Sequence, residues 1–212
     1  MLRVYNYMAS GVLLSGIVAF LIANSPSAIQ VVFGSPLKWV VMLAPLGFVF
    51  VLSAGINRLS VFAAQALYWA FAACMGASLA SILLVFTGES VARVFFITAA
   101  TFAGMSLYGY TTKADLSKFG SFLFMGLIGI VIAGLVNIFV ASSALQFAIS
   151  VVGVLVFTGL TAYDTQQIKD TYYESAGGEI AGKMALMGAL RLYLDFINLF
   201  MMLMQLLGQR RD

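Results

Sequence analysis

Residues 184–207 read MALMGALRLYLDFINLFMMLMQLL, a run whose only charges are Arg191 and Asp195. A helix needs about 20 apolar residues to cross the hydrocarbon of a bilayer, so this stretch is long enough to span one. Its polar residues are not scattered. Gly188, Arg191, Asp195, Asn198, Met202 and Gln205 recur at three-and-four spacing, which lays them along one helix face while Leu and Phe fill the others. A polar seam on an otherwise greasy helix is expected at the centre of a bundle, with the lipid contacts left to other helices.

Working outward, six more segments qualify as spans, at roughly 7–24, 39–56, 61–86, 92–110, 119–140 and 145–168. Their apolar runs are continuous, whereas barrel strands alternate apolar and polar over about ten residues. The expected fold class is therefore all-α: a polytopic membrane protein built as a seven-transmembrane-helix bundle with the last helix central, residues 1–212 forming a single seven-span domain. In the third span Ala72, Gly76 and Ala80 repeat every fourth residue, a pattern that lets helices approach closely in lipid. Pro26, Pro36 and Pro45 lie in or near the link between the first two spans and leave the later helices unkinked. The segment from Met1 to Asn24 lacks a small-residue cleavage site and reads as the first span, not as a removed leader.

Composition narrows the functions. The chain of 212 residues is 62% hydrophobic and only 9% charged, with a mean hydropathy of +1.03, against roughly 25% charged in soluble domains. Apart from Arg191, its lysines and arginines are scattered through short connections and form no stripe for nucleic acid; they suit anionic lipid head groups. With no histidine and a single cysteine, Cys74, the chain lacks His-assisted nucleophiles, the usual zinc and haem ligands and an internal disulfide. Cys74 reads as packing. Arg3, Arg58, Lys113, Lys118, Lys169 and Lys183 fall on the side of the N-terminus, and Lys38, Arg93, Arg210 and Arg211 on the other. The excess favours a cytoplasmic N-terminus.

Three charges fall inside spans: Asp164 in the sixth, Arg191 and Asp195 in the seventh. Such groups are costly in lipid and usually face the bundle interior. Thr161, Asp164 and Gln167 share one side of the sixth helix, and an antiparallel hairpin brings Asp164 and Asp195 to similar depth, Asp195 the deeper of the two. Like-charge repulsion and poor solvation oppose double ionisation, so a facing pair shares a proton and titrates as a unit. The alternative is a fixed electrostatic register, with Asp195 neutralised by Arg191 and Asp164 paired with Arg58 or Lys169.

Ala162-Tyr163-Asp164-Thr165-Gln166-Gln167-Ile168 and Leu192-Tyr193-Leu194-Asp195-Phe196-Ile197-Asn198-Leu199-Phe200 together resemble the paired signature of the Bax inhibitor family, in its bacterial form. Thr112-Lys113-Ala114-Asp115-Leu116-Ser117 and Val136-Asn137-Ile138-Phe139 fit as well, so the resemblance covers roughly residues 100–207. It implies a non-enzymatic, pH-sensitive calcium leak gated by an aspartate pair, which falls on Asp164 and Asp195, with Arg58 as the bridging cation of the closed state. Arg191 is a second counter-ion candidate, and Thr161, Gln167, Asn198 and Gln205 are candidates to line the path. No cofactor is implied; calcium is the permeant ion, held transiently near the two aspartates. Two carboxylates supply far fewer oxygens than the six to eight calcium prefers, and a leak requires weak binding.

Three rival readings use the same features. An intramembrane aspartyl protease also places aspartates on adjacent spans, but its Gly-x-Gly-Asp and Pro-Ala-Leu strings are absent: Leu192-Tyr193-Leu194 precedes Asp195 and no proline follows Pro45. A retinal protein needs a lysine in the middle of its last span, and Lys183 stands at the border. The third reading is a non-transporting regulator that binds other membrane proteins, such as a membrane protease or a cell-death factor, through its lipid-facing helices.

Overall fold

The computed structural model describes residues 1–174 and 178–211. These residues form eight helices: α1 (Leu2–Ala23), α2 (Pro26–Phe33), α3 (Leu37–Gly55), α4 (Val61–Val85), α5 (Gly88–Thr111), α6 (Ser117–Val140), α7 (Ser143–Glu174) and α8 (Glu179–Leu207). All but α2 are long and apolar enough to cross a membrane. The protein is all-α, with the seven spans the sequence leads one to expect. The eighth helix, α2, is an addition. Eight residues are too few to span, but Pro26 at its first turn and Ser25, whose Oγ accepts from the Ala28 amide at 3.4 Å, start a helix locally.

The chain forms two compact units. The first comprises Met1–Thr87, Tyr172–Tyr193 and Arg210–Asp212. Within it α4 packs against both α1 and α3. Ala72, Gly76 and Ala80, the small residues of the four-residue repeat, are the buried ones. A Cβ on Gly76 would lie 2.5 Å from the Ser15 carbonyl oxygen and 2.8 Å from its Cα, so α1 and α4 touch backbone to backbone there. Above this contact the Ser15 hydroxyl donates to the Ala72 carbonyl at 2.7 Å, and the fully buried Tyr193 hydroxyl, 2.6 Å from Ser15 Oγ, donates to it in turn. The Tyr193 ring meets Phe71 edge-on, centroids 5.0 Å apart. Tyr193→Phe keeps the ring and removes one interhelical hydrogen bond. It should cost about 1 kcal/mol, read as a lower unfolding midpoint in detergent.

Pro45, inside α3, has no N–H for the Val41 carbonyl one turn back. That carbonyl is satisfied from α4 instead, by Ser78 Oγ at 3.4 Å and more weakly by Cys74 Sγ at 3.9 Å. Neighbouring polar side chains make such a proline tolerable in a span, and Cys74 acts here as packing with a weak hydrogen bond.

The second unit comprises Gly88–Thr171 and Leu194–Gln209. Along α6 and α7 the pairs Gly120 with Tyr163, Leu123 with Gly159 and Gly126 with Val156 run in opposite directions, which defines an antiparallel hairpin. Its turn is held by Asn137, whose Oδ1 accepts from the Ser142 amide (3.0 Å) and whose Nδ2 donates to Gln146 Oε1 (3.1 Å). Ala141 closes α6 in the left-handed region, φ 49°, a conformation that disfavours residues with a Cβ. Ala141→Gly should therefore raise stability by about 1 kcal/mol, read as a higher melting temperature. On the other flank Phe196 of α8 sits against Phe95 and Phe102 of α5, both at 5.6 Å between centroids, and Ser90 Oγ accepts from the Gln209 amide at 2.8 Å.

The last helix contributes to both units, and 67% of its span window is buried, against 6–39% for the other six. In the first unit its inward residues include Ala185, Leu186, Ala189, Leu190, Leu192 and Tyr193; in the second they include Phe196, Ile197, Leu199, Phe200, Leu203 and Met204.

Candidate functional site

Gly153 on α7 and Met202 on α8 are in contact: a Cβ on the glycine would lie 2.8 Å from Met202 Cγ and Sδ. Asp164 stands eleven residues beyond Gly153, about three helical turns, and so shares its face. Asp195 stands seven residues before Met202, about two turns, and shares that residue's face. Both aspartates therefore lie on the faces through which α7 and α8 meet, toward the same end of the second unit. Measured from the contact their depths differ by four residues, about 6 Å along the axis. Asp195 is buried, 5% exposed, and Asp164 is half-buried.

The α7 turn that carries Asp164 is held from several directions. Its backbone at Ala162 touches Gly109 of α5, where a Cβ would come within 2.8 Å of the Ala162 carbonyl carbon. Tyr163 lies over Gly120 of α6. Thr165 Oγ1 is 3.0 Å from Ser106 Oγ, both residues buried. Lys169 Nζ donates to the Tyr110 carbonyl at 2.9 Å and stands over its ring at 5.2 Å.

The path-lining candidates are placed as follows. Thr161 is buried and its hydroxyl donates to the Phe157 carbonyl of its own helix (2.8 Å). Gln167 turns toward α6 and donates to Ser117 Oγ (2.9 Å). Asn198 donates back to the Leu194 carbonyl (2.8 Å). Gln205 and Arg191 are exposed, so the seam expected at the centre of the bundle is buried only in part. A three-and-four repeat drifts around a helix of 3.6 residues per turn, and the long Arg191 side chain can reach outward from an interior turn. Arg58 is exposed in the turn after α3, in the first unit. Among the described residues no group of three or more metal-ligating side chains gathers.

Gln166 was not singled out by sequence reasoning, yet it is the buried member of the Gln pair: its Oε1 accepts from the Leu116 amide and its Nε2 donates to the Ala114 carbonyl, both at 2.9 Å. Nearby, Asp115, one residue before the Leu116 N-cap of α6, accepts at its Oδ1 from the Ser117 amide at 3.0 Å. That bond is the main reason the exposed Asp115 carboxyl is held below its usual range. The bond is thus intact at neutral pH and is lost only in acid, as pH falls through the lowered value.

A family model described as "Inhibitor of apoptosis-promoting Bax1" matches residues 1–212. The chain belongs to the Bax inhibitor family. The family likeness thus extends over the first three spans, beyond the region that carries the signature strings. Bax inhibitor relatives with curated sequences include an uncharacterised protein of Rickettsia prowazekii, 47% identical over the whole of this chain and 90% of that protein. The inner membrane protein YbhL of Escherichia coli K12 is 46% identical, over the whole chain and 92% of YbhL. An uncharacterised membrane protein of Streptococcus pyogenes is 35% identical over 98% of this chain and 91% of its own length.

Proposed function

We propose that this Bax inhibitor family protein is a pH-sensitive calcium leak of the bacterial inner membrane, gated by Asp164 and Asp195 and not an enzyme. The observation that carries the reading is the placement of one carboxylate on each of the two faces that meet at Gly153 and Met202, with Asp195 buried. Two acids facing each other in low dielectric oppose joint ionisation, so proton occupancy of the pair sets how closely α7 and α8 can approach. Calcium passes as substrate, bound weakly by the two carboxylates together with water and backbone carbonyls. Arg58 is the candidate cation of the closed state. The inner-membrane location is supported by the name of YbhL, and a cytoplasmic N-terminus by the excess of basic residues on that side. The test is calcium entry into liposomes that contain only this protein, followed with a trapped dye as external pH is stepped from mildly acidic to mildly alkaline. Entry that tracks pH supports the reading; flux equal to that of empty liposomes overturns it.

A second reading is favoured by α6, whose span window is only 6% buried and which presents Phe119, Phe122, Phe124, Ile128 and Phe139 outward. Such a face suits a regulator that docks on another membrane protein, a protease or a cell-death factor, without moving ions. A stable co-purifying partner together with no calcium flux in liposomes would favour it.

A further inference from the structure

Burying a primary amide is costly unless its donor and acceptor are both used. Gln166 uses both, and on backbone groups: the Leu116 N–H and the Ala114 C=O of the connection between α5 and α6. This is the pattern a strand would offer, supplied by one side chain, and it fastens the connection to α7 two residues from Asp164. Around it the remaining contacts run from α7 to α5 and α6. Ala162 meets Gly109, Tyr163 meets Gly120, Thr165 meets Ser106, Gln167 meets Ser117 and Lys169 meets Tyr110. The faces of this turn on either side of Asp164 are thus engaged by α5, α6 and their connection.

We propose that Gln166 is the positioning residue of the gate: by stapling the Thr112–Leu116 connection to α7 it makes α5, α6 and the Asp164 turn one rigid arm. Opening then requires α8, with Asp195, to move against that arm; α7 does not bend away from α5. The proposal rests on the calcium-leak reading for its functional consequence, but the rigidity of the arm is measurable without any flux. Neither Leu nor Glu does the same work. Leu fills the volume and makes neither bond, while Glu keeps the acceptor for Leu116 N–H but sets a carboxylate oxygen against the Ala114 carbonyl.

The experiment uses the full chain in a Cys74→Ala background. Gln166→Leu is expected to speed amide exchange over residues 112–117 and 162–168 by about tenfold, and to flatten the pH response of calcium entry. Adding Ser106→Cys and Thr165→Cys, whose parent oxygens are 3.0 Å apart, should restore both properties under oxidising conditions and lose them again with dithiothreitol. A merely structural role would not give a rescue that switches with the crosslink. If Gln166→Leu fails to fold, Gln166→Glu is read in its place, with faster exchange over the same residues expected. Unchanged exchange at 162–168 overturns the proposal, as does a normal pH response in a Gln166→Leu protein whose connection has come loose. Should the unsubstituted protein show no calcium flux, the leak reading fails alone, and the exchange data still decide whether Gln166 holds the Asp164 turn.

Discussion

In liposomes, Asp195→Asn is expected to carry calcium at a rate that no longer follows pH, and Asp164→Asn to do the same. Asparagine keeps the shape and most of the hydrogen-bonding capacity of aspartate while removing its ionisation. The remaining carboxylate then has no like charge to share a proton with, and the mutual opposition that couples protonation to the spacing of α7 and α8 is gone. One pKa unit of coupling corresponds to about a tenfold change in an open-to-closed ratio, so the pH-dependent part of the flux should fall by about that factor in either variant. The double variant should be no flatter than the singles, because the pair acts as one unit. A single variant that keeps the full pH response would sink the gate. The register alternative makes a different forecast: if the aspartates only fix helix positions, the Asn variants lose stability and the pH response of the surviving protein is untouched.

The second large effect is steric. Gly109→Leu should abolish accumulation of folded protein, because even the first added carbon would collide with the backbone of Ala162, its carbonyl oxygen and carbon included. Backbone cannot rotate aside as a side chain can, so α5 and α7 would have to separate. Overpacking typically costs 1–3 kcal/mol and occasionally more, and this site lies at the upper end, about 3 kcal/mol or beyond. Separation would also pull Ser106 from Thr165 and Tyr110 from Lys169. Gly104→Leu on the same helix is the control, since nothing stands within 4 Å of a Cβ there. It should be recovered in detergent at the level of the unsubstituted protein. Equal yields of the two variants would show that the close approach of α5 to α7 is not needed for folding.

How far these features could be read in advance depended on their range along the chain. Seven spans are a local property: each is a run of about 20 apolar residues, and the bilayer thickness does the counting. For Asp164 and Asp195 the sequence supplies an expectation of the same kind, because helical periodicity fixes which residues share a face once two helices are taken to be antiparallel. The short α2 was missed because eight residues, Ser27 and Gln30 among them, are too few to register as a span and fall in the link between two, although Ser25 and Pro26 carried a start signal. The choice between Gln166 and Gln167 was beyond any local rule. Periodicity put Gln167 with Asp164, whereas the buried amide is Gln166, and what decides between them is the docking of a connection fifty residues earlier in the chain. Likewise Pro45 marks the Val41 carbonyl as orphaned, but nothing local shows that Ser78 and Cys74 satisfy it from another helix.

The deep burial of α8 bears on how the molecule is made. The most deeply buried of the seven spans is made after the other six, and its window is among the least hydrophobic. An intramembrane aspartate and arginine make it a poor candidate to partition into lipid unaided. Its insertion should therefore depend on contacts offered by the earlier helices, and until it arrives the residues that meet it in each unit, Ser15 and Phe71 in one and Phe95 and Phe102 in the other, lack their final neighbours. A stalled or truncated chain would expose just those groups to the membrane's quality-control proteases.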